Sequence, residues 1–129
     1  MKKQIRDCKK QKWKRLTQED LDKLFGKDNF KIIWMASENK KYVVINDRRG
    51  NKAILNKETN EPLFINTHLP IYIRGEIVLI GEDKFYRASD MKFLIQGQYI
   101  ENSKYYFVKQ MNNVWMLNKE TGNKKLCEY

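Results

Sequence analysis

Leu55-Asn56-Lys57-Glu58-Thr59 and, 62 residues further on, Leu117-Asn118-Lys119-Glu120-Thr121 are the same five residues in the same order. Each copy follows one apolar run and precedes another, so the repeated segments read as turns joining strands. Asn at the second position can bond back to the turn backbone, and Gly122, which follows the later copy, suits a left-handed residue. In the earlier copy Asn60 takes that place, the next-best residue for the conformation. Half-way between the copies, Tyr86 to Asp90 aligns with the same turn while sharing almost no residues, which marks a degenerate third unit.

Outward from these turns, everything after Phe30 reads as strand. Phe30 to Ala36, Lys41 to Asp47, Lys52 to Asn56, Pro62 to Asn66, Ile71 to Arg74 and Glu76 to Ile80 are rich in β-branched and aromatic residues. So are Lys84 to Ala88, Lys92 to Gln96, Lys104 to Lys109, Val114 to Asn118 and Lys124 to Cys127. Short turn clusters separate them, among them Arg48-Arg49-Gly50-Asn51, Gly81-Glu82-Asp83 and Met111-Asn112-Asn113, so consecutive strands pair antiparallel. The fold class that follows is mainly β with a minor helical part: an antiparallel β-meander of short hairpins, either barrel-like or a curved or stacked sheet. Strand-turn-strand units of this kind are similar to the blades of β-propellers and to the tryptophan-glycine type of β repeat. The tryptophan-glycine pair is missing here, and the likeness extends to one turn motif.

One helix precedes the strands. Thr17 is a good N-cap, Glu19 and Asp20 favour the positive helix N-terminus, Leu21, Leu24 and Phe25 share a face, and Gly26 supplies the stop, giving a helix over 18–25. Leu16 and Leu21 have the spacing of a hydrophobic staple, which sets the angle at which the preceding chain enters. The organisation expected is therefore a basic N-terminal arm over 1–16 and a single β-rich domain over 17–129, with the hairpin repeat at about 42–64 and 104–126.

The arm carries most of the charge. Lys2, Lys3, Arg6, Lys9, Lys10, Lys12, Lys14 and Arg15 stand against Asp7 alone, a net +7 of the chain's +10 within the first 15 residues. Such asymmetry points to a polyanion, whether nucleic acid or an acidic protein or nucleoprotein surface. Trp13, set among these cations, is suited to stacking on an exposed base. Arg48 and Arg49 at a hairpin tip add two forked donors that suit phosphate or carboxylate. In Tyr105-Tyr106-Phe107 the alternation of a strand forces at least one ring away from the core.

Chemistry is harder to find. Cys8 and Cys127 lie near opposite ends and make no metal-ligand spacing with His68, so free thiols are expected and neither a metal nor another cofactor. His68 sits in a loop without a nucleophile beside it, Glu58 and Glu120 belong to turns, and Glu82-Asp83-Lys84 lacks a convincing second acidic strand although Glu61 lies upstream. No glycine-rich phosphate loop opens the helix. No apolar run is long enough to span a membrane, and the basic start is not followed by the apolar core of a signal peptide, so a cytoplasmic location is expected. Twenty of the 26 basic residues are Lys, Asn is frequent and Ala scarce, a bias common in phages and mobile elements. The functional expectation is a non-enzymatic nucleic-acid-binding module. Its alternative is a phage or mobile-element protein-interaction module or inhibitor that binds an acidic face of a host complex.

Overall fold

The structure, a computed structural model, describes residues 15–127, with the side chains of residues 64–67 excepted. Its first element is the expected helix α1, Gln18–Phe25, closed by a full capping box: the Asp20 N–H donates to the Thr17 hydroxyl, and the Thr17 N–H donates to the Asp20 carboxylate at 3.1 Å. Leu16 and Leu21 pack in one cluster, as a staple requires, and the Gly26 N–H donates back to the Asp22 carbonyl.

Three four-stranded antiparallel sheets follow, each a simple meander. The first holds β1 (Phe30–Ile32), β2 (Tyr42–Asp47), β3 (Lys52–Asn56) and β4 (Glu61–Thr67). The middle sheet holds β5 (Ile71–Arg74), β6 (Ile77–Ile80), β7 (Lys84–Arg87) and β8 (Lys92–Gln96), and the last holds β9 (Gln98–Glu101), β10 (Tyr105–Gln110), β11 (Asn113–Asn118) and β12 (Lys124–Leu126). None of the three closes on itself, so of the expected alternatives the stacked one holds and the barrel does not.

Stacking follows from the strands being apolar on both faces. Val43, Ile45, Ala53 and Leu55 of the first sheet point one way and are buried with Leu21 of α1. Tyr42, Val44 and Ile54 point the other way and meet Ile71, Ile73, Val78 and Ile80 of the middle sheet. Ile77, Leu79, Phe85 and Ile95 on the far side of the middle sheet then pack on Tyr106, Val108 and Leu117 of the last. Rings dominate this second interface, with Phe85, Tyr99 and Tyr106 mutually in contact at centroid distances of 5.0–5.4 Å. Burial pushes the Tyr106 phenol well above its ordinary pKa, so it stays neutral. Tyr105 and Phe107 lie on the opposite face, as alternation demanded.

The degenerate third unit is real in backbone terms. Asn60, Met91 and Gly122, spaced 31 apart, all take positive φ (61°, 54° and 76°) at the end of the same turn. In the outer sheets Asn56 and Asn118 each accept two backbone N–H groups, and the hydroxyls of Thr59 and Thr121 accept the N–H two residues on. In the middle sheet Asp90 takes the threonine's place and accepts from the Lys92 N–H at 3.1 Å. Arg87, standing where the others have Asn, donates twice to Asp90 and, with the Lys92 N–H, holds that carboxyl at about 2.

Two strand expectations need correction. Phe30 to Ala36 is not one strand: β1 ends at Ile32, the Ile33 N–H still bonds to Val44, and Trp34–Ala36 then winds into a 3-10 turn. That turn brings the buried Ala36 against the middle sheet, where the Arg74 guanidinium donates to its carbonyl at 3.2 Å. Conversely, β9 was not foreseen, because Tyr99 and Ile100 are the only β-favouring residues in it and pairing with β10 creates the strand.

The turn ends of the sheets are laced together. Asn39 Nδ2 donates to the Gly75 carbonyl at 2.8 Å, and the Glu76 N–H donates to the Lys119 carbonyl at 2.6 Å. Gly75, at φ 60°, sits so close that a Cβ would lie 2.2 Å from that carbonyl oxygen. Gly75→Ala is therefore expected to destabilise by about 3 kcal/mol or more, strain and a backbone clash together. Gly50→Ala, at φ 82° with open space around it, should cost only about 1–2 kcal/mol. Urea unfolding of the two variants checks this, and equal losses would contradict the interlocked turns.

Candidate functional site

Of the cations singled out in the sequence, Lys2, Lys3, Arg6, Lys9, Lys10, Lys12 and Lys14, together with Trp13, lie outside the described residues, as does Cys8. Arg15, Arg48 and Arg49 are described, and the fold sets them at the two ends of one sheet edge. That edge is β1, which pairs with β2 on one side, while on the other the Gln18 amide of α1 donates to the Phe30 carbonyl at 2.8 Å and accepts the Ile32 N–H at 3.3 Å, so a ligand beside it would meet side chains rather than free backbone.

At one end is the β2–β3 hairpin tip. Asp47 accepts the Arg49 N–H and the Asn51 N–H, both at 2.9 Å, which fixes the turn. Burial opposes its charge, but the bonds from Asn51 and Arg49 outweigh it and hold the carboxyl below its ordinary pKa. With its backbone so held, the tip projects both arginines into solvent. Arg48 Nε donates to the Asp28 carbonyl at 3.1 Å, which ties the hairpin tip to the turn ahead of β1. Beside it opens a cleft of about 570 Å³ lined by Asp28, Lys31, Asn46, Asp47, Arg48 and Gly50. Lys31 is exposed on β1 itself, opposite Asn46.

At the other end the 3-10 turn leaves Trp34 47% exposed and Met35 88% exposed. The Arg15 guanidinium lies 4.3 Å from the Trp34 ring centroid, and its Nε is 2.9 Å from Glu38 Oε1. Arg15 is thus engaged internally, and it anchors the root of the arm beside the exposed indole. No family model, curated protein or solved structure matches the chain.

Glu38 belongs to a second repeat in the sequence that a fixed spacing hides. Glu38-Asn39-Lys40-Lys41-Tyr42 corresponds to Glu101-Asn102-Ser103-Lys104-Tyr105, 63 residues on and not 62. The extra residue of offset arises in the hairpins, where five residues separate the paired Asn46 and Lys52 but four separate the paired Lys109 and Val114. Allowing one gap in the alignment would have revealed it. In each copy the Asn side chain accepts two N–H groups to form the turn, and the Glu pairs with the Lys of the other motif. Lys57 Nζ is 3.0 Å from Glu38, and Lys119 Nζ is 2.6 Å from Glu101. The middle sheet has buried Ile73 and Ala88 in these two places, an apolar replacement that buried pairs commonly tolerate.

The remaining candidates do not assemble. His68 is exposed in the β4–β5 loop, and Asp83 of the Glu82-Asp83-Lys84 turn accepts a hydrogen bond from Gln96. Among the described residues no three His, Cys, Asp or Glu side chains come within range of a common metal ion, and no helix is long and apolar enough to cross a membrane.

The two ion pairs differ in exposure, and stability should differ with them. Glu38 and Lys57 side chains are 5% and 9% exposed, whereas Glu101 is 42% exposed. Glu38→Ala is expected to cost about 3 kcal/mol by removing a nearly buried carboxylate that pairs with both Lys57 and Arg15, and Glu101→Ala about 1 kcal/mol or less. Chemical denaturation of both variants measures the contrast.

Proposed function

We propose that this protein is a non-enzymatic nucleic-acid-binding module that takes a strand along the β1 edge, with the arm wrapping the phosphates beyond it. The observation that carries the reading is the alignment of Arg48 and Arg49, Lys31, and the Arg15–Trp34 stack on one sheet edge, continuous with the most cationic segment of the chain. From Phe30 to Ala36 this edge runs roughly 15 Å, taking ~3.3 Å per strand residue and ~2 Å per 3-10 residue. The arm's seven cations ahead of Arg15 supply further contacts, and Trp34, half exposed with Arg15 over one face of its ring, would take a base on the other. No recognition-helix or zinc-finger pattern accompanies them, so binding is read as governed by backbone and stacking, with little sequence preference.

Mobility-shift titration of a single-stranded 20-nucleotide DNA or RNA tests this. With six or more phosphate contacts, affinity should fall about a thousandfold between 50 and 200 mM salt. Removal of residues 2–14 should flatten most of that dependence, and Arg48→Ala with Arg49→Ala should lessen the salt slope by about one to two. Trp34→Ala should weaken single-strand binding by about tenfold or more. Micromolar binding that ignores both salt and the truncation, or no binding at low salt, overturns the proposal.

A further inference from the structure

β5 and β9 are edge strands of the middle and last sheets, and side chains from both line a hollow of about 200 Å³. Its walls are Tyr72 and Arg74 of β5, Leu79 of β6, Tyr99 and Glu101 of β9, and Tyr106 of β10. Alternation explains the grouping: Tyr72 and Arg74, two apart, share one face of their strand, as Tyr99 and Glu101 do on theirs. Tyr106, paired with Glu101, is 1% exposed. Among the described residues the hydroxyls of Tyr72, Tyr99 and Tyr106 make no hydrogen bond. Arg74 Nη1 is taken by the carbonyls of Ala36 and Ile73, at 3.2 and 3.1 Å, but among the same residues its Nε and Nη2 bond to nothing and no carboxylate pairs with it. Glu101 is already paired, at 2.6 Å from Lys119 Nζ. One cation without a counter-charge therefore shares the hollow with three uncommitted hydroxyls.

We infer that this hollow is a binding site for a phosphate monoester, held by Arg74 and the three tyrosine hydroxyls. Nε and Nη2 of an arginine carry parallel N–H bonds, the geometry that grips two oxygens of a carboxylate or phosphate at once. With the hydroxyls added, the donors outnumber what the two oxygens of a carboxylate accept in good geometry, whereas a phosphate monoester offers three acceptor oxygens and a charge near −2. Burial raises the pKa of Tyr106 and of Tyr99, with Glu101 adding to both, so these hydroxyls stay protonated and can donate. A hydroxyl as enclosed as that of Tyr106 gains from a ligand oxygen that completes its bonding. The phosphate of a chain interior has a nucleoside on either side, so a hollow of this size takes a terminal phosphate only. That group belongs either to the end of a nucleic-acid strand or to a free phosphate ester. The bond from Arg74 to Ala36 ties the site to the 3-10 turn that carries Trp34. The strand-end source rests on the nucleic-acid reading above, and the site itself does not.

Titration of the full chain with uridine 5′-monophosphate, with uridine and with acetate, followed by NMR chemical shifts, reads the outcome. The monophosphate is expected to bind with Kd of about 10–1000 µM and to move the signals of Tyr72, Arg74, Tyr99 and Tyr106, while uridine and acetate bind about tenfold more weakly or less. Tyr106→Phe, which keeps the ring and removes only the hydroxyl, should weaken the monophosphate about tenfold, and Arg74→Gln should weaken it further. The phenylalanine variant keeps the test sound where loss of the Ala36 bond disturbs folding. Lys92→Gln, an exposed cation elsewhere, should leave the affinity unchanged. A 20-nucleotide strand with a 5′- or 3′-phosphate that binds about tenfold tighter than its hydroxyl-ended form, with the gain lost in Tyr106→Phe, supports the site and assigns it to strand ends. Equal binding of those strands, with the monophosphate still bound, supports it and assigns a free phosphate ester. No saturation below about 10 mM, shifts confined to residues outside the hollow, acetate binding as tightly as the monophosphate, or full affinity in both Tyr106→Phe and Arg74→Gln overturns the inference. Loss of strand binding alone overturns only the nucleic-acid reading.

Discussion

A sheet that is apolar on both faces cannot stand alone in water, and that constraint organises this molecule. Val43, Ile45 and Leu55 alternate with Tyr42, Val44 and Ile54 along paired strands, so the first sheet needs a cover on each side. The helix supplies one cover and the middle sheet the other, and the middle sheet has the same need in turn. Stacking, rather than closure into a barrel, satisfies it, since a barrel would leave one face of every strand in water. Each sheet thereby becomes the neighbour's cover, and the backbone polar groups stay paired within their own meanders.

Against this apolar stack, polar residues do a narrow job at the turns. The paired motifs around Asn39 and Asn56, and around Asn102 and Asn118, place an ion pair at one end of each outer sheet, whereas the middle sheet uses Ile73 and Ala88. Glu38 and Lys57 are themselves nearly buried and carry that desolvation cost, Glu101 remains partly in water, and the apolar pair of the middle sheet avoids the cost. Gly75 shows how close the stacked turns come, for its neighbour's carbonyl occupies the place of a side chain. Charge is left to the periphery, on the hairpin tip, the β1 edge and the arm.

Much of this was legible in the residues. The helix bounds, its cap and its staple follow from Thr17, Asp20 and Leu16, and β3, β5 and β8 begin and end where β-branched residues meet turn residues. The turn repeat was legible where residues matched and nearly invisible where they did not, because Asp90 can replace a threonine's hydrogen bond and Met91 can be held at positive φ by its surroundings. Ion pairing between Glu38 and Lys57 was missed, since one additional hairpin residue breaks a fixed-offset comparison. Of the candidate site, the cations were visible as a composition, but nothing in their spacing said that Arg15 and Arg48 flank one edge.

By itself, then, the chain's order of residues determined the local structure: period-two apolarity makes strands, and Asn, Gly and Thr at set offsets make the turns that fold them into hairpins. Those are interactions among residues a few positions apart, and they carry their information in the sequence directly. Only the tertiary structure decided which face of each sheet met which neighbour, that β9 is a strand, that Arg15 is held by Glu38, and that Ile100 stands exposed on the outer side of the last sheet. Pairing of β9 with β10 joins residues 5 to 11 positions apart and Arg15 meets Glu38 across 23, and alternation makes both faces of a strand look alike until a neighbour arrives to cover one of them.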